Sequence, residues 1–278
     1  MTMRPDPSDI SGYISETSEQ ERELLKLFRK DQKLTIFDVG ACEGEDSIRY
    51  ATRFPNSRVF AFEPLASNWE LVRANFERYS ISNAELVGVA LSNSAGEADF
   101  HVSSGRPDEL FRGGDWNYGN KSSSLLPPTS KSPMYGWVRF EEVVRVRCEV
   151  LDDFCRTRRI LRIDFVHMDV QGAEALVLAG AKEMMRRIVG IWLEVSDEAL
   201  YAGQALRCDI ERLMRRQGFV RTLQLRRGAE GDQFYVNVRF PRTWPYLILD
   251  RMGRVARQMR RAGGRIRRSV LAAFGTAL

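Results

Sequence analysis

Three acids and one glycine turn are the parts of this chain that could do chemistry together. Gly40 and Gly44 stand four apart in FDVGACEGEDS (37–47), directly after an apolar run, and Glu63 closes the next apolar run. Asp169 and Glu194 fall near the ends of two later ones, FVHMDV (165–170) and IVGIWLEV (188–195). Glycines at such a turn let the backbone approach a ligand where a Cβ would clash. An acid about 20 residues further on, at the end of the next strand, can bridge ribose hydroxyls. The spacing is Gly-x-x-x-Gly, not the Gly-x-Gly-x-x-Gly that cradles a pyrophosphate. A nucleoside without a diphosphate, such as S-adenosylmethionine, therefore fits better than NAD. The bland alternative is a tight turn followed by a solvated glutamate, and the register of Glu63 weighs against it.

The elements that must hold these residues follow from pattern. Leu34 to Val39 and Arg58 to Phe62 read as buried parallel strands around a helix opening at Glu45. A short helix over Glu19 to Lys30 precedes them, and residues 1–18 read as a flexible arm. After Glu63, Ser67 and Glu70 form a capping-box pattern at the head of a helix. Ala84 to Leu91 reads as a third parallel strand, with Ala90 where an adenine could rest. Then the rhythm stops. Ala98 to Val102 is a short strand, Ser103 to Pro133 a long polar stretch, and Val143 to Val150 an alternating strand leading into a short helix at Leu151. A loop of that length inside a domain is a functional lid, a binding loop or a disordered solvent loop, and its apolar anchors favour the lid. Its Trp116, Tyr118, Ser123 and Ser124 suit a polyhydroxylated ligand. The parallel pattern resumes at Phe165 to Val170, followed by a helix over Ala173 to Arg187 and a strand over Ile188 to Val195. A helix over Ala205 to Gln217 and a hairpin of Phe219 to Leu225 with Gln233 to Phe240 end the domain at a sheet edge.

Composition bounds the rest. With 278 residues and 44% hydrophobic content the chain can bury one substantial core. No run approaches the roughly 18 apolar residues of a membrane span, and the polar N-terminus lacks a signal-peptide core. Four cysteines without a C-x-x-C pair and two histidines suggest neither a disulfide framework nor zinc, so the expected compartment is cytoplasmic. The net charge of +5 is uneven: from Arg242 onward nine Arg stand against one acid, Asp250. Apolar residues at helical spacing (Leu249, Met252, Met259, Ile266) alternate with those arginines behind Trp244 and Tyr246. Such a tail suits an anionic membrane surface, a docking face on the body or on a second copy in a homo-oligomer, or, third, RNA.

In open α/β sheets ligands bind beyond the carboxyl ends of the strands, where the Gly40 turn, Glu63, Asp169 and Glu194 all fall. Five stretches in order, FDVGACEGEDS (37–47), FEPLASNWELVRAN (62–75), VALSNSAGEADFHV (89–102), LDDFC (151–155) and FVHMDVQGAEALVLAGA (165–181), resemble the FkbM family of S-adenosylmethionine-dependent methyltransferases. The resemblance implies an α/β class I (Rossmann-like) methyltransferase fold. Its seven-stranded, mostly parallel sheet would have one antiparallel edge strand and the order 3-2-1-4-5-7-6. It implies methyl transfer to an oxygen of a saccharide, glycolipid precursor or related natural product. Cofactor contacts are expected at Asp38, Gly40, Ala41, Cys42, Gly44, Ser47, Glu63, Pro64 and Ala90. Cys42 replaces the Asn usual in the turn, and His167 the Lys usual two residues before Asp169.

Asp169 is the candidate to orient or deprotonate the acceptor hydroxyl, with Glu194 second. His167 shares a strand face with Asp169 and is a third candidate, although a packed, neutral imidazole is the commoner state. Should Asp169 and Glu194 converge, they could hold Mg²⁺; the metal is left open. The expected organisation is an arm with a short helix over 1–30, a catalytic domain over 31–241 with a lid at about 103–142, and a basic tail over 242–278. The competing readings are a non-catalytic cofactor-binding or membrane-associated protein of the same fold, and a nucleic-acid methyltransferase. Asp169-Val170-Gln171-Gly172 stands where base methyltransferases carry Asn/Asp-Pro-Pro-aromatic, so nucleic acid is an unlikely partner.

Overall fold

A computed structural model of the chain describes residues 10–105, 118–130, 136–245 and 247–248. Its first half is a run of strand–helix units: α1 (Ser11–Ser15), α2 (Glu19–Leu27), β1 (Thr35–Val39), α3 (Glu45–Arg53), β2 (Arg58–Phe62), α4 (Ala66–Arg78) and β3 (Ala84–Val87). A three-stranded excursion follows, made by β4 (Ala90–Ser92), β5 (Gly96–Ser104) and β6 (Arg139–Val150). The chain then returns through α5 (Leu151–Thr157), β7 (Ile163–Met168), α6 (Glu174–Ala179), β8 (Ile188–Ser196), α7 (Arg207–Arg216), β9 (Phe219–Gln224) and β10 (Glu230–Asn237).

The main sheet has the order β3-β2-β1-β7-β8-β10-β9. That is the expected α/β, class I order, with the antiparallel strand β10 inserted between β8 and β9 at one edge. The apolar runs are buried on both faces, which is why they read as continuous rather than alternating. On one face Phe37, Phe60, Phe62 and Phe154 form an aromatic cluster, with Phe154 4.9 Å from Phe62 and 5.4 Å from Phe60 between ring centroids. On the other, Tyr50, Phe165, Trp192 and Phe234 pack beneath α2 and α3.

Four local expectations are corrected. Ser67 does not cap α4. The helix opens one residue earlier, at Ala66, with Leu65 at the cap position and no side-chain cap, and the Leu65 N–H donates to Glu63 Oε1 at 2.8 Å. The genuine capping box is Ser18 with Glu21 at the head of α2. Ala84 to Leu91 is not one strand: a Cβ at Gly88 would lie 2.5 Å from the Trp69 indole, and Val89 N bonds back to Val87 O. The chain turns there, and β4 pairs with β6 in the second sheet. The helix expected through Arg187 stops at Ala179, because Gly180 packs on the Ser92 carbonyl and Asp152 takes the N–H groups of Glu183 and Met184. Finally, the arm is docked from residue 10 onward. Ile10 is fully buried among Ala41, Ile48 and Val72, and the Tyr13 hydroxyl donates to Asp46 at 3.0 Å.

Candidate active site

The glycine turn is shaped by β7. Gly40 has φ +90°, and a Cβ there would lie 1.9 Å from the Asp169 carbonyl oxygen. Only glycine lets β1 and the end of β7 approach this closely. The N–H groups of Gly40 and Ala41 both donate to Phe62 O at 3.0 Å, folding the turn over the end of β2. Cys42 adopts the left-handed region at φ +49°, where Asn is more at ease, and its N–H donates to Glu63 Oε2 at 2.9 Å. Gly44, at φ +81°, precedes the first residue of α3.

Glu63 is buried, and burial raises its carboxyl to about 7 against the pull of the two N–H donors, Leu65 and Cys42. Beside it opens a cleft of about 550 Å³, mouth included, lined by Gly40, Glu63, Asn68, Ala90, Phe100 and Asp169 among others. Cys42 and Pro64 also line it; Asp38, Ala41, Gly44 and Ser47 do not. The apolar wall at Ala90, Leu91 and Phe100 facing the carboxylate of Glu63 suits a purine riboside: a hydrophobic face for the base, an acceptor for the hydroxyls. S-Adenosylmethionine fits this set, with Gly40 supplying the close backbone approach.

Asp38 and Ser47 act behind the turn. Ser47 Oγ donates to Asp38 Oδ2 at 2.6 Å, and the other Asp38 oxygen meets His167 Nδ1 at 3.2 Å. His167 also lies 3.8 Å from Asp46. The neutral histidine of the sequence reading is therefore corrected. Burial alone would lower its pKa, but Asp46, Asp38 and Asp169 outweigh it and hold the imidazolium up to about 9. His167 is packed edge-on against Tyr50 and lies outside the cleft lining, so it serves the frame of the site.

Asp169 stands one residue past β7, exposed into the cleft, with its pKa raised by the surrounding protein. Glu194, on β8, is raised further by burial and by Asp169, Glu230, Glu174 and Asp232. The two acids converge on one side chain. Gln171 Nε2 donates to Asp169 Oδ1 at 2.6 Å and to Glu194 Oε2 at 3.2 Å. The amide nitrogen thus stands where a shared cation would, so the pair does not fit the Mg²⁺ reading as placed. Among the described residues, no group of three or more His, Cys, Asp and Glu is arranged to hold a metal ion.

The described residues 118–126 run along the cleft as a strap, with Asn120, Lys121, Ser123 and Leu125 in its lining. Asn120 bonds Glu43 and Asn68, and Lys121 pairs with Glu45. The Ser123 hydroxyl, although at the cleft, bonds Ser103. Ser124, expected against substrate, is fully buried with its hydroxyl on Gln171 O at 2.8 Å. Tyr118 begins the 3-10 turn Tyr118–Ser122, and Trp116 lies outside the described residues. Sequence reasoning missed Gln171, Tyr201, Asn120 and Lys121. The one signal available was the placement of Gln171 between Asp169 and a glycine.

A family model described as the methyltransferase FkbM domain matches residues 38–221. The 2-O-methyltransferase NoeI of Sinorhizobium fredii is 34% identical over 219 residues, 78% of this chain and 85% of that protein. The AMB antimetabolite synthetase AmbE of Pseudomonas aeruginosa is 30% identical over 216 residues, 72% of this chain but 10% of that longer protein. Among solved structures, a SAM-dependent methyltransferase from Aquifex aeolicus is a distant likeness. It is 10% identical with a TM-score of 0.40, covering 78% of this chain and 89% of that one.

Proposed function

Because this chain belongs to the FkbM methyltransferase family, and so is an S-adenosylmethionine-dependent methyltransferase, we propose that it methylates a hydroxyl oxygen of a saccharide or related natural product. The relative named as a 2-O-methyltransferase supports oxygen as the acceptor atom. The observation that carries the reading is the Asp169 carboxylate, exposed into the cleft beside the Gly40 turn. Its Oδ1 is held by Gln171, while Oδ2 has no hydrogen-bond partner among the described residues. The Asp38 carboxylate, by contrast, is engaged by Ser47 and His167 and lies outside the cleft lining.

The cofactor supplies an electrophilic methyl group on a sulfonium. A sugar hydroxyl is a weak nucleophile and must lose its proton as it attacks. Asp169 takes that proton, and a carboxyl raised by its surroundings is the stronger base for it. Glu63 and the Gly40 turn hold the ribose, Ala90 and Phe100 cover the base, and the strap keeps water out. Mg²⁺ enters no step.

Tritiated methyl donor presented with a panel of free, nucleotide-linked and lipid-linked saccharides tests the reading. Asp169→Asn should lower kcat on the productive acceptor by about 100-fold or more while S-adenosylhomocysteine still binds. Turnover retained in that variant would remove Asp169 from the mechanism. Ribose hydroxyls donate best to ionised Glu63, so calorimetric affinity for S-adenosylhomocysteine should rise with pH through about 7. Glu63→Ala should abolish that dependence and most of the affinity.

The membrane reading of the tail belongs here as well. Trp244 and Ile248, at 53% and 58% exposure, lead into the basic segment and supply apolar anchors for an anionic lipid surface. Lipid-linked glycans are the acceptors such a location favours. The rest of the tail, Tyr246 and 249–278, lies outside the described residues.

A further inference from the structure

Gln171 occupies a backbone position that its side-chain type does not favour. It has φ +52°, followed by Gly172 at φ +91°. Unbranched residues visit the left-handed region rarely, and such outliers gather at functional sites. Two devices fix the turn. Glu174 Oε1 accepts from the N–H groups of Val170 and Gly172 at 3.3 and 3.2 Å. Tyr201 fills the space where a Cβ at Gly172 would stand, 2.9 Å from it.

What the strained turn secures is the aim of one amide. Its two N–H bonds reach Asp169 and Glu194, and its oxygen lies 3.2 Å from the Tyr201 hydroxyl. That hydroxyl also meets Ser122 O at 2.7 Å, and the Gln171 carbonyl accepts from Ser124. A single residue therefore touches both acids of the site and the strap over it. Two carboxylates this close repel, and a neutral double donor between them holds both without adding charge. The environments then separate their duties. Asp169 faces the cationic His167 together with Asp46 and Asp232. Glu194 is raised by burial and by Asp169, Glu230, Glu174 and Asp232.

We propose that Gln171 is a positioning residue for methyl transfer, acting through Asp169. Its amide aims that carboxylate into the cleft, separates it from Glu194 and, by way of Tyr201, keeps it in register with the strap. The inference rests on the proton-accepting role given to Asp169 above.

The test uses the full chain with S-adenosylhomocysteine as the probe. In protein carrying ¹³C-carboxyl aspartate, the Asp169 signal is assigned by its loss in Asp169→Asn and followed against pH. Gln171→Met keeps the bulk of the side chain and removes the amide. It should bind S-adenosylhomocysteine within threefold of the parent, raise the Asp169 midpoint by about one pH unit, and lower kcat at least tenfold with the KM for S-adenosylmethionine unchanged. The acidic limb of the kcat profile should move by the same amount. If the variant loses the probe, the near-isosteric Gln171→Glu decides instead: a midpoint raised by more than one unit supports the proposal, and an unmoved midpoint overturns it. An unmoved midpoint with full kcat in Gln171→Met, where Asp169→Asn is inactive, overturns the positioning role alone. Turnover surviving in Asp169→Asn overturns both readings.

Discussion

His167 shows how a single residue type can mislead. In sequence it reads as a packed, neutral imidazole or as a group facing the reaction. In the fold, the parallel pairing of Asp38 with His167 across β1 and β7, and Asp46 on α3, surround it with negative charge. Its pKa rises from 6.5 to about 9, so the folded state binds a proton that the unfolded chain has already lost. The stability this contributes is fully present below pH 6.5 and disappears as pH rises through 9. A shift of that size corresponds to about 3 kcal/mol. Urea unfolding of the parent at pH 6.5 and 9.5 should show that loss, and His167→Phe should be less stable at pH 6.5 and lose much less between the two. An equal pH slope in both proteins would mean that another group titrates.

At the scale of elements, the decisive contact is the crossing of the β1 turn over the end of β7. The two ends meet so closely that Gly40 and the Asp169 carbonyl leave no space for a methyl group. Gly40→Ala combines a clash with a backbone angle that alanine resists, and should cost on the order of 3 kcal/mol. Because relief of the clash must move Asp169, kcat should fall more than the KM for S-adenosylmethionine rises. Thermal melting and initial rates report the two effects separately. A variant with the parent's melting temperature would show that the turn can open without consequence. Much at this scale was legible beforehand, because buried parallel strands carry unbroken apolar runs: the predicted Arg58 to Phe62 coincides with β2. The failures cluster at Gly88 and Gly180, where a neighbouring segment, not local preference, ends the element.

For the whole molecule, the open matter is the basic C-terminal segment. Thr243 is fully buried, with its hydroxyl on Asn237 O and Phe240 O, and Leu247 packs against the core, so the body extends at least that far. A truncation intended to test the membrane reading should therefore remove 249–278 and spare the residues before it. The intact chain should float with vesicles containing anionic phosphatidylglycerol and lose that association in 0.5 M salt. The truncated chain should stay at the bottom of the gradient with unchanged S-adenosylhomocysteine affinity. Equal flotation of both would remove the tail from membrane binding. Among the described residues no helix is long and apolar enough to cross a membrane.

By itself, the sequence determined most of the strands, the glycine turn and the places of Glu63 and Asp169 at strand ends. Each of these is written in local signals: apolar runs, glycines at fixed spacing, acids at strand ends. Tertiary structure alone decided which side chains these acids meet. It paired Asp38 with His167 and Ser47, buried Ser124 of the strap against Gln171, and placed Gln171 between Asp169 and Glu194. Those assignments depend on contacts between residues as many as 129 positions apart. A carboxylate's charge and direction are set by what surrounds it in space, and that information is carried by no short stretch of chain.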